Sequence, residues 1–202
     1  DDNIRDSVLG AMVKPDTYFA EMYKKINGNF YSISNKIEFN VNALSTHIDK
    51  LENIDEVVLY WEDIDRLRTS IYELSDEIKI SKLNIKKLNK AYHLAPKMDP
   101  SIEGAILEIR DELNILDEKF NGSKSRKEVG EQNEYPTIWS FLWSASGSSS
   151  STYGPTDTQL KSLQNTKKLY QYFKNQLMEI DLKINSEKNN LKKIDAPPIN
   201  VN

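Results

Sequence analysis

Apolar residues recur at intervals of three and four along most of the chain, which is the spacing of one face of an α-helix. The four runs predict helices over residues 16–52, 55–94, 99–121 and 156–195. The first run crosses Asn27-Gly28-Asn29 without losing phase, so it indicates one helix with a weak point at Gly28. Glycine inside a helix costs about 1 kcal/mol relative to alanine. A tight reversal near residues 52–55 is expected to separate the first two helices.

Residues that favour helix starts mark two of these boundaries. Asp99 followed by Pro100 is a good helix start, because proline at the first helical position has no amide to leave unpaired. Thr156 and Gln159 have the spacing of a capping box at the start of the last helix.

The pattern as a whole predicts an all-α fold, an elongated antiparallel bundle of three long helices and one shorter helix. We expect a single domain over 15–196, with tails at 1–14 and 197–202. The third helix is about half as long as its neighbours, so the insertion at 122–155 is expected to fill the remaining space.

A short helix or turn over residues 136–144 of that insertion is expected to dock on the bundle. Its apolar residues are Ile138, Trp139, Leu142 and Trp143. The two tryptophans are therefore interpreted chiefly as core side chains.

The composition argues against two classes of protein, those that bind nucleic acid and those that span a membrane. Charged residues make up 29% of the chain with a net charge of only -4, so there is no basic field to attract nucleic acid. No run of about twenty apolar residues is present, which predicts no membrane span. The chain has no cysteine, and the start Asp1-Asp2-Asn3 indicates a piece of a longer or processed protein.

Catalytic and metal-binding patterns are not found. His47 and His93 fall near the ends of two predicted antiparallel helices, too far apart to share a metal ion. The serines between Ser144 and Ser151 lack the Gly-x-Ser-x-Gly context of a nucleophile, and there is no glycine-rich phosphate loop. We therefore predict no catalytic residue, no metal and no cofactor.

The one candidate ligand site lies in the insertion. Glu131 and Glu134 are close in sequence to Trp139, Trp143 and Tyr153. Carboxylates beside aromatic rings are typical of carbohydrate-binding surfaces and glycoside hydrolases. The alternative is that the tryptophans pack on apolar helix faces, and this alternative is favoured because carboxylates are abundant throughout the chain.

Three short segments carry a resemblance to a known family. They are Phe120-Asn121-Gly122-Ser123-Lys124, Tyr135-Pro136-Thr137-Ile138 and Tyr153-Gly154-Pro155-Thr156-Asp157-Thr158-Gln159. The second half of the chain, from Asp99, resembles the C-terminal helical region of bacterial sortilin-like (VPS10-like) β-propeller proteins with BNR repeats, common in Bacteroidetes. These proteins are often labelled glycosyl hydrolases, but that label rests on the propeller.

The resemblance implies a non-catalytic accessory or interaction domain of an exported protein, periplasmic or secreted. Its partner would be an upstream β-propeller of the same chain or another protein. Two alternatives stay open at this point. One is a carbohydrate-binding or glycoside-hydrolase-associated module, and the other is a stand-alone homodimeric coiled-coil adaptor.

Overall fold

The computed structural model describes residues 13–42, 54–147 and 154–198. These residues divide into two compact units, whereas the sequence predicts one domain over 15–196. The described part of the first unit comprises 13–42, 54–65 and 154–155. The described part of the second comprises 66–147 and 156–198.

The all-α prediction is wrong, because the described part of the predicted helix 16–52 consists of β-strands. Strands β1 (Asp16–Ala20) and β4 (Ile37–Val41) pair antiparallel, as do β2 (Tyr23–Ile26) and β3 (Asn29–Ser32). The two ladders are nested, so the chain forms one long hairpin that is irregular between them. The remainder of the predicted first helix and most of the predicted reversal lie outside the described residues.

The turn at the tip explains why this segment is not helical. Asn27 and Gly28 both have positive φ, 50° and 85°. Two consecutive residues with positive φ are what a type I′ turn requires, and Asn-Gly is a strong hairpin signal between apolar runs. The flanking residues are rich in aromatic and β-branched side chains, which favour strands. The helix-like spacing of the run is therefore overridden by turn chemistry and by an alternation with a period of two.

The rest of the described chain is mostly helical. Its helices are α1 (Ile54–His93), α2 (Pro100–Asn121), α3 (Lys124–Glu128), α4 (Ile138–Ser146) and α5 (Asp157–Lys193). The bounds of α1, α2 and α5 differ from the predicted bounds by no more than two residues.

Helix caps form as their sequences indicate. The Asp99 side chain accepts a hydrogen bond from the Ser101 amide at the start of α2. Thr156 and Gln159 form both hydrogen bonds of a capping box at the start of α5. These caps satisfy amide groups that the first turn of a helix leaves without partners.

In the second unit, α2 runs antiparallel to α1 and α5. The Lys82 ammonium of α1 pairs with Asp117 near the end of α2, whereas Tyr92 reaches Glu103 near its beginning. On the other side, the Lys183 ammonium donates to Glu112 at 2.6 Å. Helix α2 therefore lies alongside the C-terminal halves of both long helices.

Helix α4 continues the column that α2 begins. The Trp139 ring packs at a tilt against Tyr72 of α1, and further along α4 the Ser144 hydroxyl is 2.9 Å from the Ser162 hydroxyl of α5. The second unit is thus a three-column bundle in which α2 and α4 share one column. The expectation that a short helix or turn of the insertion lies beside the long helices is confirmed for α4, with Ile138 and Leu142 buried as expected.

The core of the bundle is mostly apolar and includes a few buried polar side chains such as Ser81 and Thr166. Its most deeply buried large side chains in this unit are Ile71, Leu74, Ile78, Leu88, Tyr92, Ile106, Leu113, Phe120, Ile138 and Thr166. Phe120 is fully buried at the junction between α2 and α4. Its position makes it the side chain that both halves of the interrupted column contact.

We predict that Phe120→Ala lowers the free energy of unfolding by about 3–5 kcal/mol, because it leaves a cavity in the core at this junction. Urea denaturation followed by circular dichroism measures the change. Ile115→Ala on the same helix is the control, since Ile115 is 55% exposed and a surface substitution changes stability by about 0.5 kcal/mol or less. Equal effects of the two substitutions would contradict the assignment of Phe120 to the core.

Candidate functional site

A row of aromatic rings crosses the junction between α2 and α4. Phe120 meets the Trp139 ring edge to face at 5.8 Å between centroids, and it meets Phe173 at 5.2 Å. Tyr72 extends the row beyond Trp139, and Tyr172 extends it beyond Phe173. Edge-to-face contacts of this kind add about 0.5–1.5 kcal/mol each beyond the area they bury. The row therefore ties all three columns together at one level.

A polar network runs beside the aromatic row. The Asn121 side chain donates to Asp117 at 2.7 Å and accepts a hydrogen bond from the Trp139 indole at 3.0 Å. Asp117 also pairs with Lys82. Burial raises the pKa of the Asp117 carboxyl, but the hydrogen bonds from Lys82 and Asn121 outweigh burial and hold that pKa below its ordinary value. The indole of Trp139 is thus oriented by a network that begins on α1.

The chain leaves the shared column at Gly122, which has a φ of 85°. A Cβ atom at this position would lie 2.5 Å from side-chain atoms of Asn133, and the same side chain accepts a hydrogen bond from the Ser123 amide at 3.1 Å. Glycine is therefore required here both by the backbone and by the close approach of the loop. The contact folds the segment 123–137 back against the end of α2.

A groove of about 510 Å³ lies between this segment and the helices α2 and α5. Apolar and aromatic side chains form much of its lining, namely Ile115, Tyr135, Pro136, Ile138, Leu169, Tyr172 and Phe173. The charged lining residues are Glu118, Lys119, Arg126 and Glu134. The volume falls within the range of small-ligand sites, which is about 300–1,000 Å³.

The structure does not bring the predicted site residues together. Glu134 lines the groove, with its carboxylate 3.8 Å from the Arg126 guanidinium. Glu131 is exposed and is not part of the groove lining. Trp139 belongs to the aromatic row and does not line the groove either. Tyr153 lies outside the described residues.

The interpretation of Trp143 as a core side chain is wrong, because its side chain is 81% exposed. Ile138, Leu142 and Ala145 define the buried face of α4. Trp143 follows Leu142 by one residue, about 100° further around the helix, and so points away from the core. Trp139 is half-buried because the rings of Tyr72 and Phe120 cover it.

A second candidate site, which the sequence did not reveal, lies on the hairpin of the first unit. Tyr18 is paired with Phe39, and Ala20 with Ile37, so these four side chains share one side of the ladder. In the second ladder Lys24 is paired with Tyr31 and Ile26 with Asn29.

The same side continues across the irregular region between the ladders. The Ile33 amide donates to the Met22 carbonyl at 2.8 Å, so these two residues stand opposite each other. Alternate residues of a strand point to the same face, and the intervals 20–22 and 33–37 are both even. We call the resulting surface the apolar hairpin face. Its apolar and aromatic members are Tyr18, Ala20, Met22, Ile26, Tyr31, Ile33, Ile37, Phe39 and Val41, and Asp16, Lys24 and Asn29 lie on the same side.

The apolar hairpin face is open to solvent. Its side chains Met22, Ile26, Tyr31, Ile33, Ile37 and Phe39 are each between 47% and 63% exposed. The opposite face is more polar, with Thr17 bonded to Asn40 across the strands at 2.8 Å. On that face Lys36 lies over the Phe19 ring and Lys25 over the Phe30 ring. Its large side chains Phe19, Tyr23 and Phe30 are 52% to 67% exposed. The larger share of the exposed large side chains therefore lies on the apolar hairpin face.

Other kinds of site are not found in the described parts of the chain. No group of three or more His, Cys, Asp or Glu side chains in residues 13–42, 54–147 and 154–198 has a geometry suited to a metal ion. No helix within the same residues is long and apolar enough to cross a membrane.

Comparisons with known proteins identify no relative. No protein-family profile, no curated protein and no solved structure matches the chain. The geometry of the groove and of the apolar hairpin face is therefore the basis for assigning a function.

We predict that Trp139→Ala destabilises the protein by about 3 kcal/mol or more. The substitution removes a ring packed at the junction of α2 and α4, and the Asn121 side-chain oxygen loses the hydrogen bond from the indole. Trp143→Ala on the same helix is the matched control, with an expected change of about 0.5 kcal/mol or less. Thermal unfolding by calorimetry compares the two variants. A large loss of stability in the Trp143 variant would show that this side chain is covered in solution.

The Asp117 network predicts a pH dependence. Because the folded-state pKa of Asp117 is lowered, its contribution to stability is full above the unfolded-state value and is lost as pH falls through the folded-state value. The stability advantage of the native chain over Asp117→Asn is expected to shrink between about pH 5 and about pH 2. Urea denaturation across this range measures it, and an advantage that grows with acidification would contradict the network.

Proposed function

We propose that this chain is a non-catalytic interaction module, in which a helical bundle carries a β-hairpin that binds another polypeptide. The observation that supports the proposal is the apolar hairpin face, where large side chains such as Ile37 and Phe39 stay about half exposed or more. Contiguous exposed apolar surface of this kind marks interaction sites in soluble proteins.

The difference between the hairpin and the bundle strengthens the argument. The bundle buries its own apolar stripes, as Leu113 and Phe120 illustrate with complete burial. In the part of the chain that the structure describes, each ladder of the hairpin has two strands, and all but two of the paired residues are exposed. A two-stranded hairpin is marginally stable by itself in water and gains stability from further strands or a covering layer. A binding partner would supply both.

The parent protein is proposed to be an exported, sortilin-like β-propeller protein of the periplasm or the cell exterior. This part of the proposal rests on the resemblance of residues 120–124, 135–138 and 153–159 to the helical C-terminal region of that family. An upstream β-propeller, or a separate protein, would then be the polypeptide that covers the hairpin.

A carbohydrate-binding role is the second candidate. The observation that favours it is the groove, where the Glu134 carboxylate and the exposed Tyr135 ring stand beside Lys119 and Arg126. An aromatic ring with nearby charged groups suits the apolar and hydroxyl faces of a sugar. The predicted participation of Glu131, Trp139 and Trp143 gains no support from their positions.

Site-specific photocrosslinking tests the interaction function. We expect that Ile37→p-benzoylphenylalanine, in cells producing the full-length protein, yields a covalent adduct with a polypeptide that mass spectrometry identifies. The probe would stand on the apolar hairpin face, where a bound partner lies within reach. An adduct to a distant segment of the same parent chain counts equally.

Met178→p-benzoylphenylalanine is the matched control, because Met178 is similarly exposed but lies on α5 of the bundle. This control is expected to give no specific adduct. Equal labelling at the two positions, or adducts with lipid alone at Ile37, would refute the proposed function.

A further inference from the structure

We infer that the hairpin is completed by β-structure of its partner, which adds a strand along the outer edge of β4 and packs an apolar sheet surface on the apolar hairpin face. This inference rests on the proposed function and specifies the chemistry of the partner. The ligand class is an extended polypeptide strand with alternating apolar residues.

The backbone provides the first reason. Among the described residues, β1 pairs only with β4 and β2 pairs only with β3. Within residues 13–42, 54–147 and 154–198, each strand therefore has one edge whose amide and carbonyl groups have no ladder partner. Such an edge is a template for pairing with another strand. Strand addition uses main-chain hydrogen bonds for affinity and side-chain pockets for specificity.

The two outer edges are not equivalent. Strand β1 follows Pro15, which has no amide hydrogen to donate. The adjoining Lys14 is held by its ion pair with Asp55 at 3.1 Å, and its carbonyl accepts a hydrogen bond from the Tyr18 hydroxyl at 2.9 Å. These features restrict the approach of a strand at the start of β1. Strand β4 instead follows Lys36, which has an amide hydrogen.

The composition of β4 suits it for pairing. Its sequence Ile-Glu-Phe-Asn-Val alternates apolar and polar residues, and Ile, Phe and Val have high β-propensity. Five residues extend over about 17 Å, which is an ordinary strand length in globular proteins. Glu38 and Asn40 fall on the opposite face, so an added strand meets the apolar side chains of Ile37, Phe39 and Val41 on one side only.

The composition of the face favours a sheet over a bilayer. Lys24 lies on the same side of the ladder as Tyr31, within the apolar surface, and Asn29 lies beside Ile26. A charged side chain is costly in the hydrocarbon region, and open strand edges do not occur there, because their backbone groups have no water to bind. A partner strand can hydrogen-bond to the open backbone edge, and the long Lys24 side chain can extend its ammonium group to solvent at the margin of the packed surface.

A synthetic strand peptide tests this inference with the native chain. The probe is an acetylated, amidated nonapeptide of alternating valine and threonine with one terminal lysine for solubility. Titration into ¹⁵N-labelled protein is followed by amide chemical shifts and by amide hydrogen exchange. We expect shifts and slowed exchange in Ile37–Val41, with smaller effects in Asp16–Ala20.

The matched control is the same peptide with N-methyl groups on alternate amides of the pairing edge. It keeps the side chains but loses two or three hydrogen bonds, so its binding is expected to be about tenfold weaker or undetectable. Because this control leaves the protein unchanged, a folding defect cannot account for the loss. Phe39→Lys in the protein is expected to weaken binding of the unmodified peptide, whereas Glu38→Gln on the opposite face is expected to preserve it.

Several results would overturn the inference. They are no shift along β4, equal binding of the N-methylated peptide, and binding to vesicles of phosphatidylcholine and phosphatidylglycerol instead of the peptide. Concentration-dependent dimerisation through the hairpin, detected by light scattering, would identify a second copy as the occupant and also refute the inference. A polypeptide adduct at Ile37 without peptide binding would leave the interaction function standing and remove only the strand-addition mode.

Discussion

The bundle depends on the burial of Phe120 between Trp139 and Phe173. Helix α2 is too short to cover both long helices, and α4 supplies the missing part of the column. Two helices that meet end to end have no shared backbone hydrogen bonds, so side chains must hold the junction. Phe120 contributes the apolar contact, and the Asp117–Asn121–Trp139 network sets the orientation of the indole. Packing along the whole bundle is therefore continuous although one column is broken.

The two units use apolar residues in opposite ways. In the bundle the apolar stripes face one another, although some large side chains such as Trp143 and Met178 stay exposed. In the described part of the hairpin most of the exposed large side chains lie on the apolar hairpin face, and Phe19, Tyr23 and Phe30 lie on the opposite side. The groove near Glu134 is smaller and mixed in charge. The apolar hairpin face is consequently the stronger basis for an interaction function.

Helices and caps could be predicted from the sequence because their signals are local. Asp99-Pro100 and the Thr156–Gln159 box mark helix starts irrespective of what packs around them. The hairpin was missed because apolar residues in its sequence satisfy both a helical and an alternating period. Asn27-Gly28 was the signal that separated the two. The exposure of Trp143 could not be predicted, since it depends on which face of α4 meets the other columns.

The break between α2 and α4 has a consequence for how the chain tolerates change. The chain leaves the column at Gly122 and re-enters it at Thr137, where the Thr137 side chain accepts a hydrogen bond from the Ser140 amide to start α4. Both ends of the intervening segment are thus anchored by local features at the same level of the bundle. Because closing a longer loop costs little additional entropy, this segment can lengthen or diverge while the core keeps its register. The bundle can therefore keep its packing when residues between Gly122 and Thr137 are replaced or inserted.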